Sequence, residues 1–133
     1  NYVYQLCIDE KFIPALVTNK LLAIGINPLE YVDCVYENMY YSINVKEVTI
    51  PSYITEIKKY AFQNCFNLDK VCIEKGIERI EVRAFSGCTN LSELVYLGTI
   101  AEWNNIECDY QLFTSSYVRR IVCADGVIEN VFE

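Results

Sequence analysis

The central part of the chain alternates apolar and polar residues in short runs that return at a constant interval. The segment from Val48 to Lys70 aligns without gaps to the segment from Val71 to Glu93, an interval of 23 residues, and nine of those 23 positions are identical. Most of the identical positions are apolar, whereas the positions between them vary among charged and polar residues. Stacked coils must match at inward positions and need only face water at outward ones. We therefore predict two full coils of a solenoid in residues 47–93.

Each repeat predicts the same local elements. Val48–Ile50 and Val71–Ile73 are short runs of alternating β-branched residues, which place Thr49 and Cys72 on the outward face of a strand. A second short extended run and one helical turn follow in each repeat. Equivalent side chains of the two coils are expected to stack, Phe62 on Phe85 and Cys65 on Cys88.

The residues before the repeat predict helices. Pro14 suits a first helical turn, Gly25 a C-terminal stop, and Asn27-Pro-Leu-Glu30 is typical of a capping box. The second helix would present one apolar face, formed by Leu29, Val32, Val35, Tyr36 and Met39 or Tyr40. We expect residues 1–46 to form a helical hairpin that acts as an N-terminal cap or binding element, with an edge strand at residues 2–8.

The residues after the repeat keep its register only in part. Leu94, Tyr96, Ile100 and Trp103 continue the apolar positions, but Glu107 falls where a small apolar residue is expected. Thr99-Ile-Ala-Glu102 predicts a short capped helix that carries Trp103 into the core at the position of Ile80. Asp125-Gly126 predicts a two-residue hairpin loop. We interpret residues 94–133 as a degenerate third coil with a C-terminal β-hairpin cap.

The repeat pattern V-x-I-P-x-x-I-x-x-I-x-x-x-A-F-x-x-C-x-N-L resembles the BspA-type leucine-rich repeats, which occur mostly in bacterial and some protist surface proteins. The resemblance covers about residues 47–103, and it is specific because Ala-Phe and Cys-x-Asn-Leu recur at the same offset twice. It implies an α/β fold, a short leucine-rich-repeat solenoid. It also implies a non-enzymatic protein-protein interaction module of the bacterial adhesion or host-interaction class, secreted or at the cell surface.

Composition narrows the class of partner. Apolar residues make up 53% of the 133 residues and charged residues 22%, which excludes a disordered chain and favours one compact domain that needs no cofactor for stability. The net charge of −7 argues against direct nucleic-acid binding, because such binding depends on Lys and Arg displacing counterions. A protein partner with a basic surface suits this charge better.

Candidate chemistry is sparse. The chain has no histidine, which excludes His-dependent nucleophile pairs and His-ligated zinc, and its seven cysteines form no C-x-x-C pair. We expect no enzyme activity, metal or cofactor. Free Cys is mostly a small buried residue, which favours a reducing, cytoplasmic environment, although a disulfide between Cys65 and Cys88 stays open. No apolar run is long enough to span a membrane.

Two partner-binding surfaces are predicted. The first is the outward row of the repeat strands: Glu47, Thr49, Lys70, Cys72, Glu93 and Val95. The second is an acidic edge in residues 95–133, a segment with six acidic and two basic residues. Its predicted members are Glu102, Glu107, Asp109 and Tyr110. An alternative function is a small acidic phage or mobile-element inhibitor that blocks a basic nucleic-acid-binding enzyme.

Overall fold

The computed structural model describes residues 13–109 and 111–131. Within them the strands belong to two sheets, and successive strands along the chain alternate between the sheets except for the last two, which are in the same sheet. The four-stranded sheet has the order β1 (Cys34–Val35), β3 (Glu56–Ile57), β5 (Arg79–Ile80), β7 (Glu107–Cys108). The five-stranded sheet has the order β2 (Glu47–Ile50), β4 (Lys70–Ile73), β6 (Glu93–Tyr96), β8 (Arg120–Cys123), β9 (Gly126–Ile128).

Each of the three central coils, β2 with β3, β4 with β5 and β6 with β7, contributes one strand to each sheet, and the strands of successive coils pair in parallel. Val48 pairs with Val71, and Val71 pairs with Leu94, in the register that the 23-residue interval predicts. Along β2 the residues alternate between exposed and buried, because one face of the sheet covers the core and the other meets solvent. The predicted solenoid and its α/β class are confirmed.

The core is a set of stacked columns of equivalent side chains. Tyr40, Phe62 and Phe85 form one such column, with ring centroids 4.8 Å apart for the first pair and 5.4 Å for the second. All three rings are buried, and the two phenylalanines are fully enclosed. The predicted stacking of Phe62 on Phe85 is confirmed, and the column extends one coil further toward the N-terminus than the sequence repeat indicated.

The first predicted helix is present as α1 (Pro14–Ala23). Pro14 opens it, and Gly25, at φ +80, follows its end, as expected. Beyond the helix, the N–H of Ile26 donates to the Leu21 carbonyl and the N–H of Gly25 donates to the Leu22 carbonyl. This pair of bonds satisfies carbonyls that the helix leaves free, so a left-handed glycine ends the helix as predicted.

The second predicted helix is wrong, and with it the helical hairpin. Asn27 accepts a hydrogen bond from the N–H of Leu29, but it caps only a 3-10 turn, Pro28–Tyr31. Val32 is already extended, at φ −135 and ψ 164, and β1 follows. Because β1 pairs with β3 and buries Val35 completely, pairing and burial between coils outweigh the local helical pattern.

These residues instead form a further coil of the solenoid. Val35 pairs with Ile57, 22 residues later, and Tyr40 then stacks on Phe62 at the same interval. The N–H of Tyr40 donates to the Ala61 carbonyl, which ties the turn of this coil to the turn of the next. Pairing of repeat type therefore continues on the N-terminal side of residues 47–93, while the division of the chain at residues 46 and 93 stays a prediction.

The coil formed by β6 and β7 contains an insertion that displaces β7 from the 23-residue register. A hydrogen bond joins Arg79 to Glu107, 28 residues later, so this coil has five residues more than the 23-residue repeat. The insertion includes α2 (Ile100–Asn104), which the predicted capping box between Thr99 and Glu102 begins. Cys108 pairs with Ile80, so the prediction that Trp103 takes the Ile80 position is wrong. Trp103 is nevertheless buried, 5.5 Å from the Tyr96 ring.

The C-terminal hairpin is confirmed with its turn shifted by one residue. β8 pairs in parallel with β6, and β9 then pairs with β8 in the antiparallel sense. Cys123 pairs with Gly126, so the turn residues are Ala124 and Asp125 rather than Asp125 and Gly126. This antiparallel strand pairs with the outer side of β8 and is the last strand of the five-stranded sheet.

The cysteine column lies inside the coils. Cys65 and Cys88 are fully buried, and their thiols donate to the Tyr40 and Phe62 carbonyls at 2.7 and 3.0 Å. A hydrogen bond with the Cys88 side chain is the larger cause, and burial the smaller one, that raise the pKa of the Cys65 thiol far above its ordinary value. Both thiols are free, as are those of the other described cysteines, and the buried side chains of Cys65 and Cys88 pack inside the coils. The expected strand at residues 2–8 lies outside the described residues.

Candidate functional site

The predicted outward row lies on one face of three adjacent strands. Glu47 is opposite Lys70, and Thr49 is opposite Cys72, which in turn is opposite Val95. Glu47, Thr49 and Lys70 are exposed, whereas the members nearer the middle of the sheet are partly buried by their neighbours. The sheet thus brings together six residues that are widely spaced in the sequence.

One line of this face carries alternating charge. Glu47, Lys70, Glu93 and Arg120 start four consecutive strands of the five-stranded sheet. Arg120 pairs with Glu93 across the β6–β8 ladder, with its Nε 2.9 Å from the carboxylate. Opposite charges on neighbouring strands favour this register, although exposed pairs contribute little stability individually.

A second line of the same face becomes apolar toward the C-terminal end. Thr49 is followed by Cys72, Val95, Val122 and Val127 in register on successive strands. Leu97 follows β6 with the outward parity of Val95. Val127 is 44% exposed and Leu97 49%.

The sequence prediction missed this C-terminal part of the face. Arg120, Val122 and Val127 belong to the predicted hairpin, and their register with the repeat is hidden because Arg120 pairs with Glu93 27 residues earlier instead of 23. The alternation of Arg120-Ile-Val-Cys123 was the available signal, because it repeats the outward and inward order of Lys70–Ile73.

Two of the predicted acidic-edge residues pair with different cations of the preceding coil. The Glu102 carboxylate accepts from the N–H of Thr99 at 3.0 Å and lies 2.9 Å from the Lys75 ammonium. The Thr99 backbone hydrogen bond and the Lys75 pair lower the pKa of Glu102. Glu107 lies 3.4 Å from the Arg79 guanidinium. Glu102 therefore closes the capping box of α2, whereas Glu107 keeps most of its side chain in solvent.

The rest of the acidic edge lies directly after β7. The Asp109 carboxylate accepts from the N–H of Gln111 at 3.0 Å, which shapes the turn that follows. Tyr110 lies outside the described residues. A cavity of about 370 Å³ opens beside this turn, with Trp103 and Phe113 among its lining residues.

The described residues contain no cluster of potential metal ligands. Among residues 13–109 and 111–131, no three Cys, Asp or Glu side chains come together in a group that could hold a metal ion. In that same part of the chain, no helix has the length and apolar character needed to cross a membrane.

Comparison with known proteins extends the repeat to both sides of the central segment. Residues 21–128 match the BspA-type leucine-rich repeat region, in six copies. No curated protein and no solved structure gives a match. The matched range includes β1 and the hairpin of β8 and β9, in agreement with the coils that the structure adds to the sequence repeat. The chain belongs to the BspA-type leucine-rich repeat family.

Proposed function

We propose that the chain binds a protein partner on the outward face of the five-stranded sheet. Leucine-rich repeats of this family generally serve as non-enzymatic protein-interaction modules. The observation that carries the proposal is the line of Cys72, Val95, Val122 and Val127 on the outward face, with Leu97 of the same outward parity. Contiguous exposed apolar surface with a polar rim is typical of protein-protein interfaces.

The charged line beside the apolar line supports specificity. Glu47 and Lys70 are exposed, and Glu93 and Arg120 pair with each other, so a partner meets a fixed order of charges along one edge of the apolar line. Charges at the rim of an interface favour partners with the complementary order and disfavour others. Because the strands belong to a stack of coils, the partner also meets a surface that needs little ordering on binding.

We further propose that the partner interaction belongs to the bacterial adhesion or host-interaction class, and only membership of the family supports this more specific function. The alternative of an acidic inhibitor of a nucleic-acid-binding enzyme requires a broad, unpaired acidic surface. Glu102 and Glu107 are instead paired with Lys75 and Arg79. No specific observation favours that alternative.

A differential capture experiment tests the proposed face. The full chain is immobilised as wild type, as the Leu97→Glu and Val127→Glu variants, and as the matched control Phe66→Glu, where Phe66 is 54% exposed in a turn outside the sheet. In a lysate of the source organism, we expect at least one protein retained by wild type and Phe66→Glu and lost from both face variants. Identical captured proteins on all four samples would refute the proposed face.

A further inference from the structure

The last coil leaves part of the core open. Val35, Ile57 and Ile80 form a column that is fully buried, but the next member, Cys108, is exposed. The cavity of about 370 Å³ lies beside Cys108, and its other lining residues include Trp103, Leu112, Phe113 and Val131. Phe113 follows Cys108 by five residues, as Phe85 follows Ile80, so the cavity lies where a further coil would place its apolar side chains.

The strand beside this cavity has an unpaired edge. The N–H groups of Glu107 and Asp109 donate to the carbonyls of Glu78 and Ile80 at 2.9 and 3.1 Å. Backbone groups alternate sides along a strand, so the N–H and carbonyl of Cys108 point away from β5. In the part of the chain that the structure describes, no strand pairs with that side of β7, whereas β9 covers the equivalent edge of the other sheet.

A ladder of alternating charges ends at the same edge. Glu56, Arg79 and Glu107 are opposite one another on β3, β5 and β7. Arg79 lies 3.5 Å from Glu81 and 3.4 Å from Glu107, so one cation is shared between two carboxylates. Among the described residues, Glu107 forms no ion pair other than the one with Arg79, and its side chain is 72% exposed. A basic residue on a further strand would continue the alternation.

We propose that β7 pairs in parallel with an extended segment of a partner protein that places a basic residue opposite Glu107 and an apolar residue opposite Cys108. Open strand edges accept extended peptides through backbone hydrogen bonds, and pockets beside the edge select the side chains. The order basic then apolar is that of Arg79-Ile80, which makes the same contacts on the inner side of β7. This edge belongs to the other sheet and is independent of the proposed outward face.

A second copy of the chain fits this edge poorly. A copy stacked head to tail would place Cys34 opposite Glu107 and bring Asp33 next to it, with no cation at that position. A copy paired edge to edge would bring the two β7 strands together with their carboxylates Glu107 and Asp109. Like charges on adjacent strands are destabilising, so a basic segment of a different protein is the better occupant.

The probe is a fluorescein-labelled ten-residue peptide that copies residues 76–85 of this chain, Gly-Ile-Glu-Arg-Ile-Glu-Val-Arg-Ala-Phe. Its Arg-Ile pair meets Glu107 and Cys108, and its phenylalanine reaches the cavity in the position that follows Phe113. Binding to the full chain is measured by fluorescence anisotropy. We expect saturable binding, with an affinity about tenfold or more weaker for Glu107→Lys, and recovery when that variant meets a peptide with Glu in place of its first Arg.

A second probe tests backbone pairing without changing the protein. The same peptide carries an N-methyl group on the residue after its first Arg-Ile pair, which removes the N–H that would donate to the Cys108 carbonyl. We expect this peptide to lose binding to the wild-type chain, because its side chains are unchanged and only strand pairing is blocked. Absence of saturable binding by the unmodified peptide would overturn the proposal, as would equal affinity of the N-methylated peptide or of Glu107→Lys. The face variants Leu97→Glu and Val127→Glu should bind the peptide like wild type.

Discussion

The ring of Phe62 lies parallel to the ring of Phe85, with centroids 5.4 Å apart and 9° between the ring planes. Tyr40 continues the same column at 4.8 Å from Phe62. Because the rings belong to three successive coils, their stacking fixes how each coil sits on the next. These ring contacts join residues that are 22 positions apart for Tyr40 and Phe62 and 23 positions apart for Phe62 and Phe85, which are the lengths of the two coils.

Removal of the middle ring should destabilise the fold strongly. Phe62 is fully buried between two other rings, so Phe62→Ala creates a cavity and should lower the free energy of unfolding by about 3–5 kcal/mol. Phe66→Ala is the matched control, since Phe66 is 54% exposed, and should change it by less than about 1 kcal/mol. Urea denaturation measures both. Similar losses for the two variants would contradict the stacked column.

Gly76 is expected to be a position where the coils approach too closely for a side chain. At its φ of +147, an added Cβ would lie 2.0 Å from the Ser52 carbonyl oxygen of the preceding coil. Gly76→Ala should therefore lower the free energy of unfolding by about 3 kcal/mol or more.

Gly25→Ala is the control that separates backbone strain from steric contact, and urea denaturation measures the stability of both glycine variants. Gly25 also has a positive φ, +80, but nothing lies within 4 Å of an added Cβ. Only the cost of a left-handed alanine remains, about 1 kcal/mol. If the two variants lose equal stability, the close approach of the Gly76 turn to Ser52 is wrong.

The capping box of α2 should contribute measurably to stability. Thr99 accepts from the N–H of Glu102 at 3.1 Å through its hydroxyl, and Thr99→Ala removes that bond. We expect a loss of about 1 kcal/mol in the free energy of unfolding, against almost none for Thr89→Ala at an exposed position. Thermal unfolding followed by circular dichroism compares the two. An unchanged midpoint for Thr99→Ala would argue against the box.

The alkylation rate of Cys108 should keep rising at high pH. Although the residue as a whole is exposed, burial of its thiol raises the pKa to about 11, so the group stays protonated and slow to react at neutral pH. The thiolate fraction then rises about tenfold per pH unit up to that pKa, whereas an ordinary thiol levels off above about pH 9. Iodoacetamide labelling read by peptide mass spectrometry gives the profile, with a free cysteine peptide as control. A plateau near pH 9 would contradict the raised pKa.

The sequence predicted the central coils because their columns repeat without gaps. Val48, Val71 and Leu94 lie at equal intervals, and each packs beside an apolar residue of the adjacent coil. Local motifs were equally reliable where a few neighbouring residues decide the outcome, as at Gly25 and Thr99. Such features depend only on the backbone geometry of a few consecutive residues, so the residue types alone predict them.

The flanking coils could not be predicted because other residues fill the same columns. Tyr40 replaces the phenylalanine of the repeat, and the apolar spacing around it also fits a helix. Cys108 replaces Ile80 after a five-residue insertion, so the register is visible only once the strands are paired. In both places contacts between coils decide the structure, and those contacts join residues far apart in the chain.

The same reason explains how much of the candidate site was foreseen. The outward row from Glu47 to Val95 follows from strand alternation alone. Its continuation through Val122 and Val127 depends on β8 returning beside β6; the alternation of Arg120–Cys123 indicates a strand but not the strand with which it pairs.

Photo-crosslinking tests the proposed binding face most directly. Benzoylphenylalanine is placed at position 95, in the middle of the outward face, or at position 66, in an exposed turn outside the sheet, and the full chain is irradiated in a lysate of the source organism. We predict a specific crosslinked adduct from position 95 and none of that mass from position 66. The same adduct from both positions, or from position 66 alone, would contradict binding on the outward face of the five-stranded sheet.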